Sequence, residues 1–138
     1  MTQMVLIAGP YRSGTGDDPA KLAANERAMQ EAALEVFRRG HLPVTGEALA
    51  LPLIRVAAAS AASAPDAAVV APDAAAPGSP LFDEIFHPIA RRLVARCDAV
   101  LRIGGTSAGA DEMVAIAREH GAAVVHAIDE LPDAQVRR

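Results

Sequence analysis

Two stretches of this chain hold residue types that together can act on an electron-poor carbon: Gly104-Gly-Thr-Ser-Ala-Gly-Ala-Asp-Glu112 and Gly9-Pro-Tyr-Arg-Ser-Gly-Thr-Gly-Asp17. In the first, Gly104, Gly105 and Gly109 surround the hydroxyls of Thr106 and Ser107. A loop of that kind turns backbone N–H groups toward an anion, and Glu112 is expected in the first turn of the helix behind it. A glutamate there either complements the helix macrodipole or serves as a carboxylate that attacks or stabilises a carbon such as a sugar anomeric centre. Asp111 reads as a surface or N-terminal charge. Ser107 and Thr106 either cap the helix or hold a phosphate or sugar hydroxyl. In the second stretch, Tyr11 either packs or orients a substrate or Glu112. Arg12 offers a planar donor to a phosphate or carboxylate, or is a solvated loop charge. Gly9 and Pro10 complete the candidate binding set of that loop.

These loops need elements to hold them. Gln3 to Ala8 reads as a short apolar strand ended by Gly9-Pro10, with a polar loop to Pro19. From Ala20 the pattern is helical, with Leu22, Met29, Ala33, Val36 and Phe37 on one face and Gly40 as the C-terminal cap. His41 to Thr45 reads as a second strand, and Glu47 to Ala57 as a short helix with Pro52 in its first turn. Residues 57 to about 80 turn to Ala, Pro, Ser, Asp and Gly without periodicity, which predicts a mobile insert or a lid. Leu81 to Cys97 is helical, with Pro88 expected to kink or divide it. Asp98 to Ile103 is a strand, Gly109 to His120 a helix buried through Met113, Ile116 and Ala117, and Ala122 to His126 a last strand. A short helix and a frayed end follow Asp129.

Strands alternating with helices of this length imply right-handed βαβ units, hence one α/β domain over residues 1–138 with a parallel sheet of four or five strands. In such a sheet ligands bind beyond the carboxyl ends of the strands, where both loops lie, so the two are expected to share a cleft. Asp98 begins its strand at the opposite end and reads as a junction residue, whereas His126 ends one and borders the cleft.

Composition narrows the function. With 138 residues, a net charge of −4 and no long cluster among its 13 basic residues, the chain carries no electrostatic footprint for a nucleic acid polymer. No apolar run approaches the roughly 18 residues of a membrane span. The single Cys97 cannot form an internal disulfide, and the N-terminus lacks the basic and apolar regions of a signal peptide, so a cytoplasmic location is expected. His41, His87, His120 and Cys97 show no metal-ligand spacing, and neither loop matches the phosphate-loop or dinucleotide fingerprints, so no metal and no cofactor is expected.

Leu6-Ile-Ala-Gly-Pro-Tyr-Arg12, Gly40-His-Leu-Pro-Val44, Cys97-Asp-Ala-Val100 and Ser107-x-Gly-Ala-x-Glu112 together resemble the nucleoside 2-deoxyribosyltransferase-like superfamily, most closely the domain-of-unknown-function 4406 family. The likeness spans most of the chain outside the Ala/Pro-rich insert. It implies a Rossmann-like, flavodoxin-type three-layer sandwich. It further implies a glutamate nucleophile at Glu112 that attacks the anomeric carbon of a nucleoside or nucleoside 5'-monophosphate, with water or a second base resolving the glycosyl intermediate. On the same basis Tyr11 would orient the glutamate, Arg12 and the helix start near Ser107 would hold a phosphate, and the protein would be a homo-oligomer whose pocket is completed by another subunit. The chain departs from the pattern at Ala90, where related enzymes carry an aspartate; Asp83 and Glu84 are the nearest substitutes. That departure, and a partial echo of the Gly-Gly-x-Gly-Thr-x-x-Glu signature of phosphoribohydrolases, keep a non-catalytic nucleotide-binding module as the alternative. A third reading makes the Ala-rich insert and apolar helices an oligomer interface with no ligand.

Overall fold

Alternating apolar and turn-forming segments give the order β1 (Met4–Ala8), α1 (Pro19–Arg38), β2 (Leu42–Val44), α2 (Gly46–Ala62), α3 (Pro80–Val94), β3 (Ala99–Arg102), α4 (Ala108–Glu119) and β4 (Ala123–Val125), then a 3-10 turn at Ile128–Glu130. The computed structural model describes residues 1–62 and 80–134. All strand pairs are parallel, in the order β2-β1-β3-β4. This is a four-stranded, Rossmann-like α/β fold of the expected class. Two compact units appear in the chain, residues 1–45 with 91–138 around the sheet, and residues 46–90.

Within the sheet unit, period-two alternation sorts the strand residues between two faces. Val5, Ile7, Ala99 and Leu101 meet Met29 and Val36 of α1 and Leu131 in one buried cluster. Leu6 and Val100, equally buried, point to the other face. There α4 packs along β1, β3 and β4, burying Ala110, Met113, Val114 and Ala117. Right-handed crossovers place the helices this way, because β1 to β2 and β3 to β4 step in opposite directions along the sheet. Each large apolar side chain so buried contributes about 1.5–3 kcal/mol relative to exposure.

Several boundaries shift from expectation. Asp18 caps α1, its carboxylate accepting the Ala20 N–H at 3.1 Å, and Gly40 with φ +91° ends the helix as predicted. Phe37 is not on the buried face. It is 63% exposed, because it stands about 100° around the helix from the fully buried Val36. Pro52 lies inside α2, not in its first turn, and α2 continues through Ala62, so the segment from 57 to 62 is helical and not insert. Leu51 and Leu53 flank the proline, whose cost of about 3 kcal/mol in a helix interior is opposed by tertiary packing of the fully buried Ala50 and Ile54. Residues 63–79, the rest of the predicted insert, lie outside the described residues. Pro88 falls inside α3 without dividing it. Within residues 46–90, Phe82 and Phe86 stack at 5.0 Å, and a Cβ on Gly46 would stand 3.3 Å from the Ala90 side chain.

After Asp129, where a short helix and a frayed end are expected, the chain leaves a 3-10 turn at Ile128–Glu130 and is tied down through Ala134, and residues 135–138 lie outside the described residues. Arg39 donates to the Leu131 carbonyl at 3.1 Å, the Ala134 N–H donates to the Arg39 carbonyl at 2.7 Å, and the ring of buried His41 reaches the Pro132 carbonyl. The Gln3 N–H donates to His41 Nδ1 at 3.1 Å, so this nitrogen is the acceptor and Nε2 carries the proton given to Pro132.

Candidate functional site

The register pairs Ala8 with Arg102, so the chain leaves β1 and β3 side by side at their carboxyl ends. The two predicted loops meet there. A Cβ on Gly9 would stand 2.9 Å from Ile103 Cγ1, and one on Gly104 would stand 2.6 Å from Pro10 Cδ. Gly104 also has φ +74°, a backbone region that side chains disfavour. Both positions therefore require glycine, and the pair of loops shares one edge as the sequence implied.

Each loop is braced from within. In the first, the Thr15 hydroxyl, buried, bonds the Arg12 carbonyl and accepts the Asp17 N–H at 3.1 Å, while Arg12 Nε pairs with Asp17 at 3.0 Å. Gly14, Gly16 and Asp17 adopt positive φ to close this turn. Asn25 of α1 donates to the Tyr11 carbonyl at 2.9 Å, and Tyr11 packs against the cluster on the α1 face. In the second loop, Arg102 is the brace. Its guanidinium bonds the Ile103 carbonyl, the Gly105 carbonyl at 2.8 Å and Asp111 at 3.2 Å, with only 10% of the side chain exposed.

Ser107 caps α4, its hydroxyl accepting the Ala110 N–H at 3.2 Å. The first turn is therefore Ala108 to Asp111, and the acidic residue in it is Asp111. Glu112 opens the second turn, contrary to expectation, because the helix begins one residue before Gly109. Since the dipole effect fades within the first turn, its role as a macrodipole partner passes to Asp111. Glu112, its side chain 43% exposed, forms an ion pair with Arg91 Nε at 3.1 Å. Among the described residues the partner of this carboxylate is Arg91, with Tyr11 engaged on the α1 face.

A cavity of about 620 Å³ opens beside the second loop, lined by Gly104, Gly105, Thr106, Arg102, Asp111 and His126. It gathers two predicted binding residues, Gly104 and Gly105, with His126, which the sequence placed at the border of the cleft. Gly9, Pro10, Tyr11, Arg12, Ser107, Gly109 and Glu112 are not in its lining. Arg91, Arg102 and Thr15 make contacts that the sequence alone does not foretell. Arg102 alone left a trace, a charge ending an otherwise apolar strand just before two glycines; the Arg91–Glu112 pair spans helices and leaves no local signal.

Cys97 is buried, its Sγ bonded to the Leu93 carbonyl at 3.3 Å. Desolvation, with the Asp98 carboxylate adding to it, pushes the thiol up to about 11. Asp98 accepts the Met4 N–H at 2.8 Å at the amino edge of the sheet, as its reading as a junction residue implied. No cluster of three or more potential metal ligands occurs among the described residues, and no helix among them is long and apolar enough to cross a membrane. No family model, no curated protein and no solved structure matches the chain.

Proposed function

We propose that this protein acts on the N-glycosidic bond of a nucleoside or nucleoside 5'-monophosphate at the carboxyl edge of its sheet, with Glu112 as the nucleophile, as its resemblance to the nucleoside 2-deoxyribosyltransferase-like superfamily implies. The observation that carries this reading is the Arg91–Glu112 pair, a half-exposed carboxylate held by one arginine on the helix that leaves the glycine loop. Attack of a Glu112 oxygen on the anomeric carbon forms a glycosyl ester as the carbon–nitrogen bond breaks. The departing base keeps the electron pair and takes a proton from solvent, which the resolving water or second base later returns. Water or a second base then displaces the carboxylate, with net retention at the anomeric carbon. A cytoplasmic homo-oligomer without resident metal or cofactor belongs to the same reading.

A second reading, nucleotide binding without turnover, is favoured by two observations. Position 90 is a buried alanine where the resemblance expects a carboxylate, and the open cavity is lined without Glu112. One experiment separates them. Purified protein and Glu112→Gln are incubated with nucleosides and 5'-monophosphates, and released base is measured by chromatography alongside binding by calorimetry. Base release lost in Glu112→Gln supports the first reading, saturable binding with no release supports the second, and neither binding nor release removes both.

A further inference from the structure

The two groups expected to hold a phosphate are engaged elsewhere: Arg12 pairs with Asp17, and the Ser107 hydroxyl, on a side chain buried at the start of α4, accepts the Ala110 N–H. The cavity on the β3–β4 side of the second loop holds a different set of donors. Gly104, Gly105 and Thr106 line it, and among the described residues none of their backbone N–H groups has an acceptor. The Thr106 hydroxyl and the His126 imidazole, contributed by separate segments, likewise have no partner among the described residues. Arg102 spends three of its N–H groups on the loop and Asp111; a guanidinium has five, so two remain. Successive free amides beside a left-handed glycine form an anion-binding concavity. Here that concavity is backed by a cation nine-tenths buried.

One group of opposite character completes the lining. Asp111 gives one carboxylate oxygen to Arg102, leaving the other as an acceptor at the rim. A bare anion would be repelled by it. A ligand whose oxyanion lies next to a hydroxyl would satisfy donors and acceptor together.

We propose that the crevice formed by Gly105, Thr106, His126, Arg102 and Asp111 binds a phosphomonoester carrying a neighbouring hydroxyl group. The phosphate takes the loop amides, the Thr106 hydroxyl and the imidazole, while the ligand hydroxyl donates to Asp111. Glu112 plays no part, so the inference stands whether or not the N-glycosidic reading does.

The test is titration of the ¹⁵N-labelled protein with ribose 5-phosphate, inorganic phosphate and ribose, followed by amide and imidazole resonances. Ribose 5-phosphate is expected to shift Gly105, Thr106 and His126 saturably and to bind at least about tenfold more tightly than ribose. Thr106→Val combined with His126→Gln, both at exposed positions, should weaken it at least tenfold while leaving the spectrum folded. Asp111→Asn should remove its advantage over inorganic phosphate, and Arg27→Gln on the exposed side of α1 should change nothing. Equal binding of ribose and ribose 5-phosphate, shifts that do not saturate, or full affinity in the double variant would overturn the proposal.

Discussion

Arg91 Nε lies 3.1 Å from Glu112 Oε1, joining α3 to the second turn of α4. With 55% and 43% of these side chains exposed, solvent screens the pair, and such bridges contribute about 0–1 kcal/mol. Arg91→Gln should therefore lower Tm by no more than a few degrees. If Glu112 attacks an anomeric carbon, the same variant should reduce kcat more than KM, with Arg91→Lys restoring part of it. An activity loss accompanied by a large drop in Tm would instead assign Arg91 to the fold.

Glycines 104 and 105 are neighbours with opposite tolerances. At Gly104 a side chain meets both a left-handed backbone, costing about 1–2 kcal/mol, and the Pro10 ring at 2.6 Å. At Gly105 it meets open space. Denaturant unfolding should show Gly104→Ala destabilised by at least about 1–2 kcal/mol and Gly105→Ala within about 0.5 kcal/mol of the parent. Equal stabilities would mean that the two loops do not touch at Pro10.

His41 bridges the start of β1 to the tail, taking the Gln3 N–H and giving its own to Pro132. His41→Ala strands a partly buried donor and releases an anchor, at a cost of about 1–3 kcal/mol. Amide exchange should accelerate first at Leu131 and Ala134, whose N–H groups are bonded in this corner. Unchanged protection at Ala134 would count against the bridge.

The Cys97 thiol titrates at about 11 in the folded chain against 9.0 for an unperturbed thiol. The folded state thus keeps a proton that the unfolded state gives up. This contribution to stability is full below pH 9 and is lost as pH rises through about 11. Native protein at pH 8 should react with a disulfide reagent far more slowly than urea-unfolded protein. Comparable rates would show the thiol to be accessible.

The stop of α1 at Gly40, the four short strands, and the buried stripe of Met113 and Ala117 all follow from local chemistry: turn residues, periodicity and caps act within a few positions. Where several local rules compete, the sequence is ambiguous. Phe37 fitted a helical face one step too wide, and the alanines after 57 read as insert because Ala-rich composition favours helix and low complexity alike.

The class of fold, the order of its elements and the two loops that carry the candidate chemistry are legible in the amino-acid order alone, since strand and helix periods are written in nearest neighbours. Which side chains those loops engage emerges from the folded chain. Arg91 meets Glu112 across 21 residues, Pro10 meets Gly104 across 94, and His126 joins Thr106 because β4 pairs with β3. Such pairings depend on parallel register and crossover hand, which act between segments distant in the chain and leave no periodic trace within either.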